Sequence, residues 1–539
     1  MDHTPALSRR TVLRGAGAST LALLLTGRDA AAARWLASTP GTASTAGAGI
    51  EELKIGFAAS LSNLYPGKEA GILNYYVAAL VSEGLVAPDG QGNLVPALAE
   101  SWEKTSPTTY VYTLRAGATF SDGVPVTVDD VVYSVNLAKD EKASPNTSYY
   151  WANMASVATT GDRQVTITLT NPDVAFEWGP CAANALWITS QKFVEANGGE
   201  IGTTTALLYG TGPYRVTKFA PDSMVELERV DTWWGGHVPV KKVRIDFIRE
   251  ETTRILARQS GDIDLAINIS LDQKQEWDDA GDTTVLIAPD RSYVGIDFNT
   301  AVAPFDDVHV RKAIALACDR AGFVTSLLGG HGEPATALTT PEQIDKVLGA
   351  DGARAALKAV LDLPFDLEAA KAELAKSKVP TGFSTKVGIS SSAPQVSQAF
   401  QSLKATLEPL GITIEIQEMP VEQWFDTIGS PDWGLAYMSY SNTTGDPAEM
   451  SSWFLGEGNP ASYTNADVTA QMVKVKEEAD PAKRIELLIE AQRLAMVDVP
   501  YVPLWWGVAA TAIRDDLTIE DFGSYALLSP WTGRIVPAG

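Results

Sequence analysis

From Tyr293 to Asn299 polar and apolar positions alternate: Tyr293, Gly295, Asp297 and Asn299 fall against Val294, Ile296 and Phe298. A two-residue period predicts a strand. Ala303-Pro304 and Asp306-Asp307 interrupt it, and Val310, Ile314 and Ala317 then recur at helical spacing. That change of period predicts a helix over 308–320, with Asp307 as its N-cap. The same two signals recur along the chain. Strands are predicted at 53–57, 110–115, 165–169, 243–247, 385–390, 412–417 and 433–440, and a hairpin at 214–230 around Pro221-Asp222-Ser223. Helices are predicted at 74–80, 128–139, 191–196, 251–260, 366–377, 396–410 and 481–497. Thr127 with Asp130 approximates a capping box, and Gly411 stands where a helix end needs positive φ. Strand–helix–strand order implies a partly parallel sheet.

A chain of 539 residues exceeds one compact core and implies two or three domains. A net charge of −24 argues against nucleic acid or anionic lipid as a partner. Cys181 and Cys318 are too few for a disulfide scaffold. His3, His237, His309 and His331 lack metal-ligand spacing, and no H-E-x-x-H, G-x-S-x-G or C-x-x-C occurs. No catalytic residue, metal or cofactor is expected; the missing motifs speak only modestly against an enzyme, and it is the family resemblance below that implies a non-enzyme. At the N-terminus Ser8-Arg9-Arg10-Thr11-Val12-Leu13 resembles a twin-arginine export motif, followed by an apolar run at 16–25 and small residues at 30–33. The run is shorter than the ~20 residues of a membrane span. Residues 1–33 are expected to be a signal peptide and 34–50 a flexible linker, with no cysteine for a lipid anchor.

Several blocks carry a resemblance. Phe298-Asn299-Thr300, Pro304-Phe305-Asp306-Asp307 and Val310-Arg311 through Asp319-Arg320 resemble the crossover of the family 5 extracytoplasmic solute-binding proteins. So do Leu98-Ala99-Glu100-Ser101-Trp102, Phe120-Ser121-Asp122-Gly123-Val124-Pro125, Gly210-Thr211-Gly212-Pro213-Tyr214 and Val502-Pro503-Leu504-Trp505-Trp506. The resemblance implies an α/β, two-lobed periplasmic-binding-protein-like fold of type II with an extra small domain. Its lobes would be joined by two crossover strands, near 293–299 and 502–506. The implied layout is lobe one at 51–97, a small domain at 98–205, lobe one again at 206–291, lobe two at 292–504 and a return to lobe one at 505–539. The implied function is capture of a small solute by hinge closure, as receptor of an ABC importer whose permease and ATPase are other chains. A peptide is the first expectation; an oligosaccharide or other polar neutral solute is the alternative, with nickel import or a secreted hydrolase behind it. The mature protein is expected to be a soluble monomer in the periplasm or outside the cell.

In relatives, the stretch matching 433–454 lines the ligand cleft. Trp433, Tyr437, Tyr440, Asn442, Thr443, Asp446 and Trp453 are accordingly the expected ligand-binding residues. Many peptide receptors of this family hold the peptide's amino group with the first Asp of G-W-x-x-D-x-x-D-P. Aligned on Gly445-Asp446-Pro447, that position is Thr443, which weakens the peptide assignment. Asp446 also suits an N-cap, with Pro447 at the first helical position and Glu449 as capping-box partner. The cluster Tyr149-Tyr150-Trp151 is expected to pack the small domain rather than line the cleft.

Overall fold

The computed structural model describes residues 49–69, 71–391 and 393–538; the expected signal peptide and nearly all of the expected linker lie outside them. A nine-stranded sheet organises the chain, in the order Leu435–Ser441, Thr283–Phe298, Tyr501–Arg514, Leu265–Ile267, Ile50–Phe57, Val240–Phe247, Met224–Arg229, Tyr214–Ala220. The short strand Glu333–Pro334 pairs with Tyr501–Arg514. Ile50–Phe57 runs parallel to both Val240–Phe247 and Leu265–Ile267, while the hairpin strands are antiparallel, so the sheet is partly parallel as its order predicts.

The crossover strands are longer than the alternation suggests. Thr283–Phe298 pairs with Tyr501–Arg514 from Thr283↔Arg514 to Pro289↔Val508, and again from Tyr293↔Trp506 to Asp297↔Tyr501. Between the two ladders the register breaks at Pro289/Tyr293, where the ribbon passes from one lobe to the other. The polar–apolar alternation falls in the second ladder even though residues 293–298 are all buried, whereas 283–290 are mostly part-exposed.

The fold is α/β and two-lobed, with an additional small domain. That small domain is an antiparallel sheet ordered Ala99–Ser106, Thr109–Leu114, Gln164–Leu169, Met154–Gly161, with Tyr110, Tyr112, Val131 and Trp151 in its core. Its helix Val128–Lys139 starts at the capping box seen in the sequence: Asp130 N–H donates to Thr127 Oγ1 at 3.1 Å and Thr127 N–H to Asp130 Oδ2 at 3.0 Å. The second lobe holds the parallel pair Phe383–Ser390 and Ile412–Met419, and Gly411 turns between helix and strand at φ 80°.

The helix predicted over 308–320 divides into Val308–Leu316 and Arg320–Leu327. Asp319 starts the second by accepting the Gly322 amide at 2.9 Å, so one residue that fits the first helix pattern caps a new one. Buried Arg311 and Arg320 then bind the lobe to the crossover: Arg311 donates to the carbonyls of Asp498 and Phe305, and Arg320 to Pro503 O at 2.8 Å. Cys181 and Cys318 are both free and buried, and burial pushes each thiol up to about 12.

Candidate functional site

Strand Leu435–Ser441 ends beside the register break in the crossover. Asn442 fixes the following loop there, donating through its backbone N–H and its Nδ2 to Arg291 O at 3.2 and 2.7 Å. The loop then passes close to the first lobe. A Cβ at Gly445 would stand 2.6 Å from the Trp178 ring and 2.8 Å from Gly92 O, so glycine is needed for the approach. Arg291 is 1% exposed; its guanidinium lies over the Tyr525 ring at 3.4 Å and donates to Thr444 O and Ser524 O.

Two carboxylates follow. Asp446 is 5% exposed and receives both ends of the Arg484 guanidinium, at 2.7 and 3.0 Å. Its Oδ1 also accepts the Ala448 amide at 2.7 Å. The expected cap is thereby corrected: the helix is Glu449–Phe454 with Ala448 at the N-cap position, and Asp446 and Pro447 precede it. Glu449 is no capping-box partner either. Its carboxylate turns back along the chain to accept the Thr443 and Thr444 amides at 3.2 and 2.9 Å, together with the Thr444 hydroxyl. The Tyr440 hydroxyl donates to it at 3.2 Å. Burial raises the Glu449 carboxyl above its ordinary range, against the Thr444 and Thr443 hydrogen bonds that lower it.

The Tyr149 and Tyr150 rings lie 4.1 Å apart, and Tyr149 keeps 51% of its surface exposed. Burial raises Tyr75, Tyr149, Tyr150 and Tyr440, and the Glu449 charge raises all four further. Burial also raises the Tyr76 phenol, with the charges of Asp290 and Arg291 acting on it in opposite senses. The expectation for Tyr149-Tyr150-Trp151 is thus split. Trp151 is fully buried and donates to Ala185 O at 3.0 Å, and Tyr150 packs against the same small-domain core, whereas Tyr149 is 51% exposed.

The expected site residues separate in the same manner. Tyr440 and Trp453 pack together at 5.8 Å, and Trp453 also lines an open groove of about 490 Å³ with Ile428, Asn459 and Tyr463. Asn442 and Thr443 are buried in the loop that holds Glu449. Tyr437 belongs to the second-lobe core: it is 1% exposed, stacks on Trp424 at 4.8 Å and accepts the Ser390 amide at 3.3 Å. Trp433 is half-buried with Lys386 Nζ over its ring at 4.1 Å. Glu449 is not among the residues expected at the site. Among the described residues no group of His, Cys, Asp or Glu stands close enough to hold a metal, and no helix is long and apolar enough to cross a membrane.

Residues 93–462 match the bacterial extracellular solute-binding proteins, family 5 (middle region). The chain belongs to this family. Among family relatives, the oligopeptide-binding protein OppA of Bacillus subtilis strain 168 is 23% identical over 505 residues, covering 88% of this chain and 89% of OppA. The solved structure of AgaA from A. tumefaciens R10 in complex with agropinic acid superposes with a TM-score of 0.79 at 21% identity, over 90% of this chain and 99% of AgaA. DppA from Helicobacter pylori, in complex with the peptide STSA, gives 0.79 at 20% identity, over 91% of this chain and 98% of DppA.

Proposed function

We propose that the chain is the extracytoplasmic receptor of an ABC importer, capturing a small solute between its lobes and handing it to a permease on another chain. The observation that carries this reading is the family match over residues 93–462, on a fold whose stretch 440–453 carries Tyr440, Glu449 and Trp453 and passes close to Trp178 and Gly92. Aromatic walls with a few placed polar groups suit an enclosed small-molecule site. The register break between Pro289 and Tyr293 offers the place where the lobes turn. The lobe and small-domain boundaries set out from the sequence form part of this proposal.

A short peptide leads as solute, supported by the relatives OppA and DppA. A polar neutral solute such as an oligosaccharide is the second reading, favoured by the half-exposed Tyr149 ring and by Thr443 in place of the family's acidic residue. AgaA with agropinic acid indicates that this scaffold is not confined to peptides. Export through the twin-arginine segment and a monomeric, unlipidated mature form complete the proposal. Lysines at Arg9 and Arg10 are expected to hold the protein in the cytoplasm.

Native mass spectrometry of purified protein should find a co-purified solute. Adding that solute back to stripped protein should shrink the radius of gyration in X-ray scattering and raise the melting temperature by mass action. A solute that is chemically turned over, or that binds with unchanged dimensions, would oppose the receptor reading.

A further inference from the structure

Arg291 lies at the register break of the crossover and is bonded on both sides of it. One terminal nitrogen donates to Thr444 O of lobe two and the other to Ser524 O of lobe one, with its face on the Tyr525 ring. From there a seam of direct bonds runs between the lobes. The Tyr525 hydroxyl donates to Thr444 O at 3.2 Å. Lys346 Nζ of lobe two reaches Asn93 Oδ1 of lobe one at 2.9 Å, and Val174 N–H of the small domain donates to Lys476 O of lobe two at 3.0 Å. Each of these bonds joins protein to protein.

The middle of the seam is a socket built by lobe one alone. Asp89 Oδ1 accepts the Gln91 and Asn93 amides at 2.9 and 2.8 Å, and Asn93 Nδ2 donates to Asp89 Oδ2 at 2.8 Å, which fixes the turn. Tyr525 lies over Gly92 of that turn, where a Cβ would overlap its ring, and stacks on Trp178 with centroids 6.4 Å apart. Gly445 enters this socket from lobe two. The three atoms nearest a Cβ there are Trp178 Cζ2, Gly92 O and the Tyr525 hydroxyl, at 2.6, 2.8 and 3.1 Å, and all three belong to lobe one. Gly445 does not have a positive φ, so its own backbone makes no demand for glycine. The demand comes from the meeting of the lobes. Thr444 and Tyr525 are 2% and 8% exposed, so parting the seam would bare apolar ring surface to water.

We propose that Thr444-Gly445 and the socket of Gly92, Trp178 and Tyr525 form a latch that holds the lobes closed through their own bonds, so that the protein visits the closed arrangement without a solute. This rests on the receptor reading and its lobe boundaries, and adds a division of labour to it. The latch sets how often the cleft is closed, and the solute supplies only the remaining bias through its differential affinity for the two arrangements.

The test uses full-length exported protein freed of bound solute. Spin labels are placed on Asp162→Cys in the small domain and Glu490→Cys in lobe two, both exposed positions, while the native cysteines are buried and stay unlabelled. Pulsed dipolar spectroscopy then reads the distance between the labels. The solute-free protein is expected to show the closed distance, matching the structure, beside a longer open one or in its place. Gly445→Ala should abolish the closed component, because its methyl group meets the Trp178 ring and the Gly92 carbonyl. Tyr525→Phe keeps the ring over Gly92, deletes the bond to Thr444 O and should lower the closed-to-open ratio severalfold. A closed component that survives Gly445→Ala would overturn the latch; if that variant does not fold, an undiminished closed component in Tyr525→Phe would do so. An open distance alone in the solute-free protein also overturns it. If that protein then closes on the solute that co-purifies with it, the receptor reading stands without the latch, and if it does not, both fall.

Discussion

Asp446 and Glu449 flank the start of one short helix, and their surroundings are opposite in kind. Asp446 faces into the second lobe, where Arg484 of helix Pro481–Asp498 closes on both of its oxygens. Glu449 turns back to its own strand and loop, where the Thr443 and Thr444 amides, the Thr444 hydroxyl and the Tyr440 hydroxyl meet it and no guanidinium contacts it among the described residues. A carboxylate already matched by a guanidinium has its charge cancelled and contributes to holding the fold. One matched only by neutral donors has no such cancellation, and burial favours its protonated form. Residue type and position in the loop do not distinguish the two; their partners do.

The comparison breaks most visibly at Arg484. Arg484→Leu leaves Asp446 buried with its charge unpaired, which is expected to cost about 3–5 kcal/mol. Urea denaturation measures it, and a loss below about 1 kcal/mol would mean that Asp446 is not held by this pair.

Glu83 extends the comparison, since it too is a buried carboxylate with neutral donors. It is 7% exposed and accepts the Trp234 and Trp233 indole N–H groups at 2.9 and 3.4 Å. Burial pushes its carboxyl up to about 7, although those bonds lower it. The sign follows from which state holds the proton. Between the ordinary carboxylate range and about 7 the folded chain keeps a proton that the unfolded chain has released, so stability falls as pH rises through that window and levels above it. The contribution is at most about 3 kcal/mol. Glu83→Gln should remove that part of the slope, seen by comparing urea unfolding at pH 5 and pH 8 in both proteins. Parallel slopes would show that Glu83 is ionised throughout.

Much of this fold was legible because its signals are local. The Thr127–Asp130 box, the Asp307 cap and the Gly411 turn each depend on residues a few positions apart, and all three formed as the spacing predicts. The motif blocks added the two-lobed order. The site was legible only in outline. Asp446 looked like a cap because its partner Arg484 lies on a distant helix that no local pattern connects to it. Glu449 read as a capping-box partner, whereas its carboxylate turns back to the Thr443 and Thr444 amides and the Tyr440 hydroxyl. One signal was available and went unused: Tyr437 and Tyr440 are an odd number of residues apart on a strand, and such positions face opposite sides.

That pair supplies the smallest and most discriminating effect. Tyr437 stacks on Trp424 and accepts the Ser390 amide at 3.3 Å, inside the second-lobe core. Tyr440 packs on Trp453 and donates to Glu449 at 3.2 Å. Either Tyr→Phe substitution keeps the ring and deletes one hydroxyl, so each is expected to cost only about 1 kcal/mol of stability. Their effects on solute binding should differ. Tyr437→Phe changes nothing that a solute meets and should leave calorimetric affinity unaltered. Tyr440→Phe removes the hydroxyl that donates to Glu449, and affinity for the co-purified solute should fall severalfold. Equal affinity in the two variants would show that the Tyr440 hydroxyl serves the fold alone, and would place the ligand's polar contacts elsewhere in the cleft.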